Sequence, residues 1–260
     1  MSHVGTAASS EARQVESDLQ LSSLCHTSLM SRSQPGVARD LAELILGYGM
    51  ILVVLWTPEH LQRILSPIAL VATLLVVLAR CQSHGGQTHD GQGQAGPTDD
   101  ELGLGWRGLI PSLWILPVAI GLAVVGVLIA RRLGTLHPLY KGDFTRVAGY
   151  VLWTTYQQFL LQDYFMARLM RVLSSEAAAV VVAGVLFAAA HLPNLALTAA
   201  TLVWGVVSCA LFRRYRNLYA LGLAQGILGL CFAVCVPDAL HHHLRVGLGY
   251  LHYNAIRPAH

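Results

Sequence analysis

Leu109–Ala130 (LIPSLWILPVAIGLAVVGVLIA) contains no charged side chain, and that stretch alone limits what the chain can become. A helix needs about 20 largely apolar residues to cross the hydrocarbon of a bilayer. In that medium its backbone polar groups must be satisfied within the segment. Further stretches approach the same length: Asp40–Trp56, Ile64–Leu78, Arg146–Val172, residues 174–191, Leu195–Phe212 and Leu218–Val236. Charged residues make up 12% of the chain, where a soluble domain carries roughly 25%. The expected fold is all-α, a polytopic membrane helical bundle of about seven transmembrane helices (six to eight), with the lipid bilayer as its surroundings.

Punctuation along the chain gives the expected organisation. Residues 1–37 are rich in Ser, Gln, Glu and Arg without an apolar core, which predicts a disordered tail rather than a signal peptide. The membrane domain covers 38–258, with Asp40 as the expected N-cap of its first helix and Thr57-Pro58 as its break. Residues 83–105 read as a flexible Gly/Gln-rich loop outside the membrane. Ser174-Ser175-Glu176 is the start signal of a fifth helix running to His191, with Pro193 just beyond it.

Arginines cluster where helices end: Arg131-Arg132, Arg168 with Arg171, and Arg213, Arg214 and Arg216. Snorkelling anchors explain that placement. Their distribution favours a cytoplasmic N-terminus in a bacterial-type inner membrane. No basic stripe with interleaved aromatics exists for nucleic acid, and none is expected as a partner. Cys209, Cys231 and Cys235 sit in apolar helices and read as small hydrophobes. His241-His242-His243, after Asp238, is expected to form an interfacial loop, with no metal site and no cofactor implied.

The segment Trp153–Leu169 (WTTYQQFLLQDYFMARL) departs from this pattern, because Gln157, Gln158, Gln162 and Asp163 interrupt an apolar span. Polar groups at that depth face a bundle interior and often mark a site. Positions four apart share a helix face, so Thr154, Gln158 and Gln162 form one stripe with Gln157 on its flank. Asp163 points elsewhere. Two readings stay open for the amides: hydrogen-bonding glue between helices, worth about 1–2 kcal/mol per bond, or the lining of a polar site. His191 closes the fifth helix in Phe187-Ala-Ala-Ala-His191, and Gln225 interrupts the seventh. Gln157, His191 and Gln225 are evenly spaced, each interval long enough for one helix and a return, so three helices can bring them together.

Over residues 147–236 this layout resembles the CPBP family of intramembrane endopeptidases, the CAAX-protease and bacteriocin-processing group. The family's motifs are Glu-Glu-x-x-x-Arg, Phe-x-x-x-His and His-x-x-x-Asn/Asp. Phe187 and His191 match the second motif outright. Gln157 and Gln158 stand at the two glutamates and Gln162 at the arginine, while Gln225 and Gly229 stand at the third-motif histidine and its partner. Asn194, in the HLPN that follows the histidine, belongs to the same texture, as does RRYRNLY before the last motif helix.

The resemblance implies Gln157, His191 and Gln225 as catalytic residues, supported by Gln158, Gln162, Phe187, Asn194 and Gly229. It implies an endopeptidase acting on a membrane-anchored or lipidated protein. In the family a glutamate and the histidine are taken to activate water; a carboxylate can accept that proton, whereas a Gln amide has no comparable basicity. Two alternatives follow from the amides: a pseudoprotease that binds a membrane protein segment without cutting it, or a small transporter or pore component.

Overall fold

In the computed structural model the described residues are 34–58, most of 60–71, 102–138 and 144–253. Most of the expected second span and nearly all of the 83–105 loop lie outside them. Among the described residues the chain is helical without strands. The helices are α1 (Gln34–Leu55), α2 (Leu109–Ser112), α3 (Ile115–Leu133), α4 (Phe144–Phe159), α5 (Ala167–Val172), α6 (Glu176–Ala189), α7 (Leu195–Tyr215) and α8 (Leu218–Cys235). A π-helical segment, Leu160–Met166, joins α4 to α5. Short helices α9 (Asp238–His241) and α10 (Gly247–Leu251) follow α8.

Among the described residues, those from 34 to 43 and those from 44 onward fall in two separate units. Within the first, Arg39 Nε pairs with Glu43 Oε1 at 3.0 Å, one turn apart on exposed helix. α1 begins at Gln34, so Asp40 lies inside the helix and is not its N-cap. The polar residues before Asp40 are compatible with a helix, and propensity alone does not stop one there.

Among the described residues three segments are long and apolar enough to cross a membrane: Leu109–Leu133, Leu195–Tyr215 and Leu218–Cys235. Much of their surface is apolar and exposed, as on Leu122, Leu128 and Val203. Such a surface suits lipid and not water. The protein is an integral membrane helical protein. α6 is shorter than a full span at 14 residues, and the α4–α5 region carries the interrupting amides.

Side-chain caps set several helix starts. Ser175 Oγ accepts from the Ala178 N–H at 3.3 Å, as the start signal implied. α6 stops at Ala189, two residues before His191. Asn194 and Asn217 cap α7 and α8 in the same way, accepting from Leu197 N at 3.1 Å and Ala220 N at 2.9 Å. Each cap satisfies an otherwise orphaned first-turn donor.

The main helix pairs are α6 with α7, α8 with α3 and α8 with α4. Small residues let them approach. A Cβ on Gly205 would stand 3.0 Å from Gly184 Cα across the α6–α7 crossing. At the α8–α4 crossing a Cβ on Gly222 would strike the Thr155 side chain, and Thr154 Oγ1 donates to Gly222 O at 2.9 Å. Close backbone approach of this kind replaces the missing hydrophobic drive between helices in lipid. Two buried clusters result: Leu161, Phe165, Leu169 and Cys209 with their neighbours, and Ile115, Phe212, Leu221 and Ala224 with theirs.

The segment after α8 is ordered rather than a loose loop. Asp238 Oδ1 accepts from His243 N at 2.9 Å and Asp238 Oδ2 from the Tyr253 hydroxyl at 2.6 Å. Gly247 N donates to Leu192 O at 2.8 Å, fastening this segment to the turn after α6. His241 is neutral in this setting: one ring nitrogen, Nε2, donates to Val236 O at 2.9 Å, and the other, Nδ1, accepts from Leu244 N at 3.2 Å. Burial lowers its pKa from the ordinary 6.5, opposed by the Val236 bond and Asp238 and reinforced by His137 and His243. Among the described residues no group of three or more His, Cys, Asp or Glu is placed to hold a metal ion.

Gly222→Ala should cost about 1–3 kcal/mol through overpacking against Thr155, seen as a lower thermal midpoint in detergent. The neutral His241 stabilises the folded form fully above pH 6.5. That contribution is lost as pH falls from there through the lowered folded value, because the unfolded chain binds the proton first. Amide exchange at Leu244, corrected for its intrinsic rate, should therefore accelerate on acidification, and His241→Asn should remove the dependence.

Candidate active site

Four glutamines from two helical segments join through their side chains. Thr154, Gln158 and Gln162 are 0%, 0% and 2% exposed, a fully buried stripe, while Gln157 on its flank is half-buried. Gln162 Nε2 donates to Gln158 Oε1 at 3.0 Å. Gln158 Nε2 donates across to Gln225 Oε1 on α8 at 2.5 Å, and Gln225 Nε2 donates back to Gln157 Oε1 at 2.7 Å. α7 contributes at both ends: Trp204 Nε1 donates to Gln225 Oε1 at 3.0 Å, and Ser208 Oγ lies 3.5 Å from Gln162 Nε2.

The local fold explains how the chain reaches this arrangement. Leu161 of the first core cluster lies beside Gln162 in the sequence, and Ala224 of the second precedes Gln225. Each cluster thus holds a residue next in sequence to one amide of the network. Just past Gln158 the helix widens, and Ala167 N bonds to Gln162 O, an i→i+5 spacing. Such π turns occur often at functional sites. Asp163 lies in that turn; its Oδ2 is buried with no hydrogen-bond partner among the described residues.

A cavity of about 980 Å³ opens beside the network. Gln157, Gln225 and His191 all line it, with Tyr150, Tyr156, Tyr164 and Trp204 among its aromatic walls. Asp163 does not line it, so the one acid within the amide segment is not available to the cavity. Glu176, the other acid near these helices, pairs with Arg213 at 2.7 Å.

His191 sits in the turn after α6, 9% exposed. Its Nδ1 lies 2.7 Å from Phe187 O. A carbonyl only accepts, so Nδ1 carries the hydrogen and Nε2 keeps its lone pair. Phe187 also holds the imidazole edge-on, with ring centroids 5.0 Å apart. The second-motif pair thus orients the histidine twice over, by carbonyl and by ring.

The remaining expected residues have structural surroundings. Asn194 is fully buried; besides capping α7 it donates from Nδ2 to His241 O at 2.8 Å and Arg245 O at 3.1 Å. Gly229 leaves room for Tyr150, whose hydroxyl occupies the space where a Cβ would stand. The structure brings Gln157, Gln158, Gln162 and Gln225 into one network and sets His191 on the same cavity. No hydrogen bond joins His191 to the amides among the described residues.

Sequence reasoning passed over Trp204, Ser208 and Tyr150. The first two were detectable as polar groups four apart on one face of the otherwise apolar sixth span. Tyr150 was detectable as the residue two helical turns before Gln157, on the same helix.

An oriented imidazole and a chain of hydrogen-bonded amides thus meet one cavity of a helical membrane protein. The family model described as Type II CAAX prenyl endopeptidase Rce1-like matches residues 50–231, and the chain belongs to that family. No curated protein and no solved structure matches the chain.

Gln158→Met keeps the side-chain volume but removes two of the network bonds. It should lower stability by about 1–2 kcal/mol, read as the shift of the thermal midpoint in detergent against wild type.

Proposed function

We propose that the protein is a CAAX-type intramembrane endopeptidase that cuts a membrane-anchored or lipidated protein, with His191 as the general base and glutamine in place of the usual glutamate. The observation that carries this reading is the orientation of His191 on the cavity: Nδ1–H is tied to Phe187 O, and the lone pair of Nε2 is left for a proton. Family membership supplies the reaction class. The aromatic and aliphatic walls suit an apolar segment entering from the bilayer.

In the proposed reaction His191 Nε2 takes a proton from water as the water oxygen bonds to the scissile carbonyl carbon. The carbon–nitrogen bond then breaks, and the proton held on Nε2 passes to the leaving nitrogen. No carboxylate lines the cavity from the described residues, so the imidazole acts without the acid partner usual to the motif. General base catalysis contributes typically 10²–10⁴-fold. We also propose that the membrane domain comprises residues 38–258, crosses the bilayer about seven times and keeps its N-terminus in the cytoplasm.

His191→Ala should abolish cleavage while the protein still inserts. The check compares peptide termini in membrane fractions from cells making wild type or the variant at equal level. Termini present only with wild type support the reading. Identical termini across many membrane substrates would overturn it in favour of a scaffold that binds without cutting.

A further inference from the structure

Amide oxygen and nitrogen can exchange places in a hydrogen-bond network, but an indole cannot: its N–H only donates. Trp204 Nε1 lies 3.0 Å from Gln225, so the atom of Gln225 facing it is the oxygen. The nitrogen of Gln225 then faces Gln157, which must answer with its own oxygen at 2.7 Å. Gln158, approaching the same Gln225 oxygen at 2.5 Å, must present nitrogen, and its oxygen receives Gln162.

The far end agrees independently. The Ser208 hydroxyl donates to Gly205 O at 3.1 Å, so it can only accept from Gln162, which again presents nitrogen. Every amide in the network therefore has one allowed orientation. Of the four amides, Gln157 is the one whose NH2 group donates to no described residue, and it lines the cavity.

We propose that Gln157 is a hydrogen-bond donor to the substrate carbonyl oxygen, and that Trp204 is the positioning residue that turns it that way. The proposal rests on the hydrolytic reading above and gives residue 157 a role opposite to that of the glutamate it replaces. A carboxylate at 157 would accept; the amide donates. A donor aimed at the developing oxyanion needs no basicity, which removes the chemical objection to glutamine at this position. The in-line amide dipoles behind it strengthen the last N–H, by about 10–30% per bond.

The test uses full-length protein in detergent with two probes: a prenylated CAAX peptide, and its phosphinate analogue, whose anionic oxygen stands in for the oxyanion. Gln157→Glu should slow peptide cleavage by about 10²-fold or more, the scale of a lost oxyanion donor. It should also weaken phosphinate binding at least about tenfold, because a donor has become an anion. Trp204→Phe should lower kcat by about tenfold and leave KM within about twofold, since only the transition state feels the turned amide.

A Raman difference spectrum, wild type minus Trp204→Phe, should show a hydrogen-bonded indole N–H that becomes free in Gln225→Leu. Cleavage by Gln157→Glu at or above the wild-type rate would overturn the donor assignment and leave the hydrolytic reading standing. Equal phosphinate binding by Gln157→Glu, or none by wild type, would also overturn it, as would an indole signal indifferent to Gln225. If the phosphinate binds with the expected loss but no peptide is cut, the hydrolytic reading fails and the donor remains.

Discussion

Gln225 holds the centre of the molecule. It accepts an N–H from Gln158 and another from Trp204, and it donates one to Gln157. Through those three bonds α8 is tied to α4 and to α7, the helices that also define the cavity. In hydrocarbon an unpaired amide would cost several kcal/mol, so no member of this set can leave without stranding another. Packing does the rest. Glycine at 222 brings α8 close against α4, the two helices whose amides meet, and glycines 184 and 205 do the same for α6 and α7.

A π segment follows directly on the amides that share that centre. Up to Gln158 the helix follows its ordinary pitch, and Thr154 and Gln158 fall on one face. From Leu160 the backbone adds a residue to its turn, and Ala167 N bonds to Gln162 O. Gln162 lies within 3.0 Å of Gln158, as their four-residue spacing allows, while Asp163 stays away from the cavity. The base proposed for the cavity is an imidazole, set in the turn after a separate helix and held by its own carbonyl partner. The site is built from neutral groups, which suits a low-dielectric surrounding in which an isolated charge is expensive.

Much of this was legible beforehand. The apolar runs gave the membrane class, Ser175 gave the start of α6, and the even spacing of Gln157, His191 and Gln225 anticipated their gathering on one cavity. Other features left no trace in a pattern based on 3.6 residues per turn. The π turn has no compositional signature in LLQDYFM, and α1 extends past Asp40 because helix propensity in that stretch is adequate while only the apolar pattern is missing. Trp204 lies in an apolar span, where an indole is usually valued for its ring and not for its N–H. The number of spans was not legible at the level of counting: α6 is short, and the amide-bearing helix dilutes its own hydropathy.

The segment beyond α8 carries one more consequence. Leu244 and Val246 form part of the cavity wall, and Asn194, three residues past His191, is fastened to the carbonyls of His241 and Arg245. The histidine turn thus leans on residues made long after it during synthesis. While the ribosome is still reading the codons for α7 and α8, the imidazole has its Phe187 partner but not its floor, and the cavity has a missing side. The site therefore cannot be complete until Leu244 and Val246, which wall the cavity, have been made and folded back.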